Sequence, residues 1–153
     1  MTSKTLQQWT SLSRLPLGGR VFSWLIGRVV PYAGTVHPEV EALDEGYARV
    51  AMGDRRGVRN HLSSIHAVAT VNLGEMAANM ALMSRQPDDG RWIVTGLDAK
   101  YLKKARGRIT AECHVPDVNW QASADLDGVA TLKDSNGDIV TEVHVHWRVG
   151  PRK

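Results

Sequence analysis

IHAVATVNLGEMAANMALM, residues 65–83, is apolar around nearly the whole helical circumference and carries a single charge, Glu75. A helix with no polar face belongs inside a domain rather than on its surface. A carboxylate there is costly to bury unless it is paired, hydrogen-bonded or put to use. Just upstream, Asn60-His61-Leu62-Ser63-Ser64-Ile65-His66 sets a polar cluster at the helix start, with Ser64 the expected N-cap. The two stretches together predict a catalytic site mounted on one buried helix, running to about Ser84.

Around this helix the chain punctuates into short elements. Residues 4–14 read as a short helix, and a second spans about 17–30 before Pro31 stops it. In that second helix Val21, Phe22, Leu25, Ile26, Val29 and Val30 share one broad face, and Arg20, Ser23, Gly27 and Arg28 lie opposite. The reading is an amphipathic helix packed on the domain, with interfacial membrane contact as the second reading. Arg28 interrupts the run, no small-x-small site follows, and the run is too short to span a bilayer. Tyr47–Met52 reads as the first strand, Gly53–Ser64 as a loop and Pro87-Asp88-Asp89-Gly90 as a turn. The remainder is strand-like: Trp92–Lys103, Arg108–Val115 and Ile139–Val149, the last two alternating with period two. Asn136-Gly137, between Val129–Lys133 and Ile139–Val149, is a strong hairpin signal.

The composition narrows the class. A chain of 153 residues, 42% hydrophobic and 23% charged, fits one domain: a helical extension over 1–45 and a core over 46–150. The single cysteine, Cys113, excludes an internal disulfide and suits a reducing cytoplasm. A net charge of +3 fits an anionic ligand and is too weak to argue for nucleic acid.

One long helix followed by an antiparallel run of strands suits an α+β architecture in which the sheet wraps the helix. In this chain Asn60 and His66 are six residues apart, and His66 and Glu75 nine. The segment resembles the active-site segment of the hotdog acyl-CoA thioesterases related to the phenylacetate-pathway enzyme. Tyr101–Gly107 and Pro151-Arg152-Lys153, with the N-terminal helix, resemble an uncharacterised bacterial branch of that superfamily, from about residue 17 onward. The resemblance implies a hotdog fold with a five- to six-stranded antiparallel sheet, and sites formed where subunits of a homodimer, or dimer of dimers, meet. It implies hydrolysis of acyl-CoA, with coenzyme A entering as part of the substrate and no separate cofactor. Where the family has Gly-Gly after the histidine this chain has Ala67-Val68, which tightens the approach to the backbone.

The residue types fit thioester hydrolysis. Glu75 can attack the carbonyl or deprotonate water. The Ala67 N–H lies in the first helical turn, where free amides and the positive dipole end favour an oxyanion. Asn60 can orient water or the thioester, and His66 can hold the loop or bond near the carbonyl. Asn72, Glu75 and Asn79 form one helical stripe, so the two asparagines join the candidate substrate contacts. A polar seam between subunits is the competing explanation of that stripe. Lys100, Lys103, Lys104, Arg106 and Arg108 read either as a solvated strand edge or as partners for coenzyme A phosphates, with Lys103, Lys104 and Arg106 the phosphate-site candidates. Arg152 and Lys153 can extend that patch. His144 and His146, with His114 and Glu112, lack diagnostic ligand spacing and read as solvated or interface residues, so no metal site is assigned. A non-catalytic acyl-CoA- or lipid-binding hotdog is the alternative function. A hydratase ranks third, since a His-Phe-Pro-Gly type of motif is absent.

Overall fold

A computed structural model describes residues 3–152. The elements run α1 (Lys4–Ser13), α2 (Gly18–Val29), α3 (Pro31–Gly34), β1 (Glu39–Asp44), β2 (Tyr47–Met52), a 3-10 turn (Arg56–Val58), α4 (Ala67–Met83), β3 (Gly90–Tyr101), β4 (Ile109–His114), β5 (Ala124–Lys133) and β6 (Ile139–Pro151). The six strands form one antiparallel sheet in the order β1-β2-β4-β5-β6-β3. Helix α4 packs against β2, β4, β5 and β6. This helix wrapped by a sheet is the hotdog fold.

The sheet follows from alternation. On β6, Val143, Val145 and Trp147 are fully buried against the helix, while Glu142, His144, His146 and Arg148 turn to the outer face. The β5–β6 turn is set by Gly137 at φ 86° and by Asp134, whose Oδ1 accepts from the Asn136 and Asp138 amides at 2.9 and 3.1 Å. Strand β5 starts at Ala124, five residues earlier than its apolar end at Val129 suggests. The acidic residues Asp125 and Asp127 hide it, because they stand on the solvent face opposite Arg148 and His146.

Two elements differ from the sequence reading. Strand β1 falls inside the stretch expected to be helical extension. Its residues, Glu39-Val40-Glu41-Ala42-Leu43-Asp44, favour strands weakly, and a bulge between Val40 and Ala42 breaks the alternation. Helix α2 is rotated from its expected docking. Phe22 and Ser23 are buried, and Ile26 packs on the core, but Val21, Leu25, Val29 and Val30 are exposed. The Ser23 hydroxyl causes this: it accepts from the Val40 amide of β1 at 2.8 Å and donates to the Gly19 carbonyl at 2.8 Å.

Helix α4 sits close to the sheet because Gly74 allows it. A Cβ on Gly74 would lie 2.6 Å from Val143 Cγ2. Glycine weakens a helix interior by roughly 1 kcal/mol relative to alanine, so its presence marks a packing need. Gly74→Val is expected to destabilise the fold by about 1–3 kcal/mol through overpacking. Chemical denaturation of the variant measures this, and an unchanged midpoint would contradict the close approach.

Candidate functional site

The N-terminal end of α4 is fixed by three tethers. His66 is the N-cap, with extended backbone (φ −63°, ψ 139°) and its Nδ1 accepting from the Val68 amide at 3.1 Å. An accepting Nδ1 places the ring proton of neutral His66 on Nε2. Ser64, the expected cap, is instead buried two residues earlier, and its hydroxyl donates to Asn60 Oδ1 at 3.2 Å. The Ile65 amide donates to the Ala105 carbonyl and the His66 amide to the Val58 carbonyl, both at 2.8 Å.

Asn60 organises the preceding loop. Its Oδ1 accepts from the Leu62 and Ser64 amides at 2.9 and 3.2 Å. This closes a loop in which Ser63 adopts φ 56°. Its Nδ2 has no partner among the described residues, and Asn60 lines a cleft. That cleft, about 370 Å³, opens between the Asn60–Ile65 loop, the first turn of α4 (Ala67 and Thr70) and the connection from Tyr101 to Ala105. Ala67 is the first helical residue, so its N–H has no intrahelical acceptor. It makes no other hydrogen bond among the described residues. A free donor at a helix N-terminus, on a residue that lines a cleft, suits a developing oxyanion.

Glu75 lies elsewhere on the same helix. It is half-buried, and Asn79 Nδ2 donates to its Oε1 at 3.4 Å. Asn79 is held in turn: its Oδ1 accepts from Trp147 Nε1 at 2.8 Å, and Trp147 is fully buried. Glu75 therefore has an aimed carboxylate on a rigid support. Eight residues separate it from Ala67, about 12 Å along the helix axis. One chain cannot bring both groups to one carbonyl. Asn72, the third member of the stripe, is buried, and its Nδ2 donates to the Tyr32 carbonyl at 3.2 Å and Thr35 Oγ1 at 3.4 Å. It ties α4 to the α3 segment.

The basic cluster divides. Lys103 Nζ donates to Asp134 Oδ2 at 3.0 Å and to Asp138. Those bonds raise its pKa and hold the Asp134 carboxyl below the usual carboxylate range. Arg108 is paired with Glu39 and Glu41 at 2.7 and 2.8 Å. The expected phosphate partner Lys103 is thus already neutralised, because the β5–β6 turn brings its aspartates alongside. Lys104 lines the cleft, and Arg106 is exposed nearby; neither has an ion-pair partner among the described residues. Arg152 is exposed at the chain's other end, and Lys153 lies outside the described residues.

Two further residues line the cleft without having been singled out in the sequence. Thr70 is buried and donates to the Ala67 carbonyl at 2.6 Å. Thr141 is buried on β6. Its signal was present: it is the one hydroxyl in the core-facing row of Val143, Val145, Trp147 and Val149. Burial pushes the Cys113 thiol up to about 12, so it keeps its proton and is no nucleophile. Among the described residues no group of three or more His, Cys, Asp or Glu converges as metal ligands. His146 bridges two aspartates on the outer face, Nδ1 to Asp127 at 2.6 Å and Nε2 to Asp98 at 2.8 Å, which raises its pKa. Among the described residues no helix is long and apolar enough to cross a membrane.

Comparison with known proteins agrees with this architecture. A family model described as a domain of unknown function (DUF4442) matches residues 18–149. No functionally curated protein matches the chain. Among solved structures, the genomics target APC5556 is 29% identical, with a TM-score of 0.81 over 95% of this chain and 96% of that one. PA5026 of Pseudomonas aeruginosa, described as a protein of unknown function and probable thioesterase, is 20% identical, with a TM-score of 0.75 over 88% and 95%. A point mutant of the thioesterase SAV0944 of Staphylococcus aureus is 15% identical, with a TM-score of 0.70 over 79% and 99%.

Proposed function

The chain belongs to the DUF4442 family of unknown function, and we propose that this member hydrolyses acyl-CoA thioesters. The observation that carries the reading is the free Ala67 amide at the head of a buried helix, opening onto a cleft. The named activities of the structural relatives support the same reaction class.

The separation of Ala67 and Glu75 calls for two subunits. Strand β3 is the longer of the two edge strands of the sheet, twelve residues against six in β1, and is paired only with β6 among the described residues. Ile93, Leu97 and Tyr101 on it are exposed. A long apolar edge is a template for a second copy, and an isologous pair repeats each contact across a two-fold axis. In such a homodimer Glu75 of one protomer faces the substrate carbonyl held by the partner subunit's Ala67. Glu75 takes a proton from water, and the water oxygen bonds to the thioester carbon. Charge gathers on the carbonyl oxygen against the amide. The carbon–sulfur bond then breaks, releasing the thiolate, which takes up the proton, and a carboxylic acid. Coenzyme A enters only as part of the substrate. Asn60 Nδ2 and His66 Nε2 are further polar donors near the helix head, and Asn79 keeps Glu75 aimed.

Lys104 is assigned to the coenzyme A phosphates, with Arg106 beside it. Lys104→Glu is expected to raise KM for acyl-CoA several-fold while leaving KM for a truncated thioester unchanged. Lys103→Glu should do less, because Lys103 already faces two aspartates. An equal effect of Lys104→Glu on both substrates would remove Lys104 from phosphate binding. One observation favours the alternative, a non-catalytic acyl-CoA-binding protein: within one chain Glu75 does not line the cleft. An acyl-CoA panel screened for thiol release and for thermal stabilisation separates the two. Stabilisation without release across the panel would establish the binding module.

A further inference from the structure

Helix α2 carries more apolar surface than its docking uses. Val21, Trp24, Leu25 and Val29 project from one arc of about 140°, at 3.6 residues per turn, the N-cap Leu17 is exposed beside them, and Val29 is 76% and Trp24 59% exposed. Neighbouring Leu15, Val30 and Tyr32 are exposed too. The remaining exposed large apolar side chains are scattered over the other 120 or so residues or belong to the β3 edge and the cleft.

Charge is concentrated in the same place. Residues 1–38 contain Lys4, Arg14, Arg20 and Arg28 and no Asp or Glu. The rest of the chain holds 15 of the 19 basic residues and all 16 acidic ones, so it is slightly negative. The entire positive surplus of the protein sits on its N-terminal helices. Arg28 lies over the Trp24 ring, 5.2 Å from its centroid. The two border an open groove of about 730 Å³ that Arg20 and His37 also line. One carboxylate, Glu39, reaches this groove, and it is paired with Arg108. Lys4 is paired with Asp88, which leaves Arg14, Arg20 and Arg28 as the cations of this N-terminal segment without a carboxylate partner among the described residues.

We propose that the α2 face docks on an anionic lipid bilayer, lying in the interface with its apolar arc in the acyl boundary. Exposed Trp and aliphatic side chains, with Arg20 at the border of the arc and Arg28 within it over the Trp24 ring, on a helix that cannot span, have the composition of interfacial helices, in which a long basic side chain reaches back to the headgroups. The arginines supply attraction to anionic headgroups. A second copy is the poorer occupant. An isologous contact would set this positively charged surface, with its arginines, against itself. The proposal does not depend on the reaction assigned to the cleft.

Flotation of the full chain with phosphatidylglycerol vesicles tests it, with phosphatidylcholine vesicles as reference. The chain is expected to float with the anionic vesicles, to be released by salt, and to remain behind with the neutral ones. Arg20→Gln combined with Arg28→Gln is expected to lower partitioning about 30-fold, at about 1 kcal/mol per basic residue near an anionic surface. Val21→Ser, Leu25→Ser and Val29→Ser together should lower it as strongly, with the helical circular dichroism signal retained because Phe22 and Ile26, which dock the helix, are untouched. Failure of the native chain to float, equal flotation on neutral vesicles, or indifference to both sets of substitutions would overturn the proposal. So would a smaller assembly for the serine variant in analytical ultracentrifugation, which would make the face a contact between copies.

Discussion

Glu75→Gln is expected to lower kcat for acyl-CoA hydrolysis by about 10²–10⁴-fold, the usual contribution of a positioned base. The substitution is nearly isosteric. A glutamine Oε1 can still accept from Asn79 Nδ2, so the support running back to Trp147 survives. Glu75 is half-buried and has no cationic partner among the described residues, so its loss leaves no uncompensated buried charge. Thermal stability and dimerisation should therefore persist while turnover falls, and KM should change little. Glu75→Ala should fall as far. Steady-state release of thiol checks both variants. Normal turnover in the two would exclude Glu75 as base or nucleophile and return it to the role of a polar seam.

Ala67→Pro is expected to lower kcat by about 10²–10³-fold, the usual loss for one oxyanion donor. Proline removes the one N–H in question and is otherwise suited to the position. Ala67 is the first residue of the helix, where proline's fixed φ fits and no intrahelical bond is lost. His66 before it already has ψ 139°, the extended conformation that a following proline demands. The His66 cap to the Val68 amide is untouched. A folded variant with unchanged turnover would take the oxyanion away from this amide. Ala67→Gly serves as the control, since it keeps the amide and only widens the approach.

The sequence made the fold and the centre of the site readable for one physical reason: burial acts on whole elements. A helix apolar on all sides, strands alternating with period two and an Asn-Gly turn each predict their environment from local composition, and α4, β6 and the β5–β6 hairpin have the form expected. Smaller decisions escaped it because long-range contacts made them. Ser23 looked like a solvent-facing residue until the β1 amide of Val40 claimed it, and that bond turned four of the six residues of the expected apolar face outward. The sequence of β1 itself favours a strand only weakly, and the strand exists because Val40, Leu43 and their neighbours pair with β2. The cap moved from Ser64 to His66 because Asn60 holds the serine in the loop. Lys103 looked available until the β5–β6 turn placed Asp134 and Asp138 beside it. Neither spacing nor composition shows that Ala67 and Glu75 are too far apart to act within one chain; the helical rise does.

Subunit mixing tests the central claim, a thioester site shared between two copies, most directly. Glu75→Gln and Ala67→Pro chains are each expected to be nearly inactive alone. Unfolded and refolded together, they should form mixed dimers in which one of the two sites draws an intact Glu75 from one chain and an intact Ala67 from the other. Random pairing then restores about a quarter of the native acyl-CoA hydrolysis, since half of the dimers are mixed and half of their sites are whole. A refolded mixture no more active than its separate parts would contradict the account.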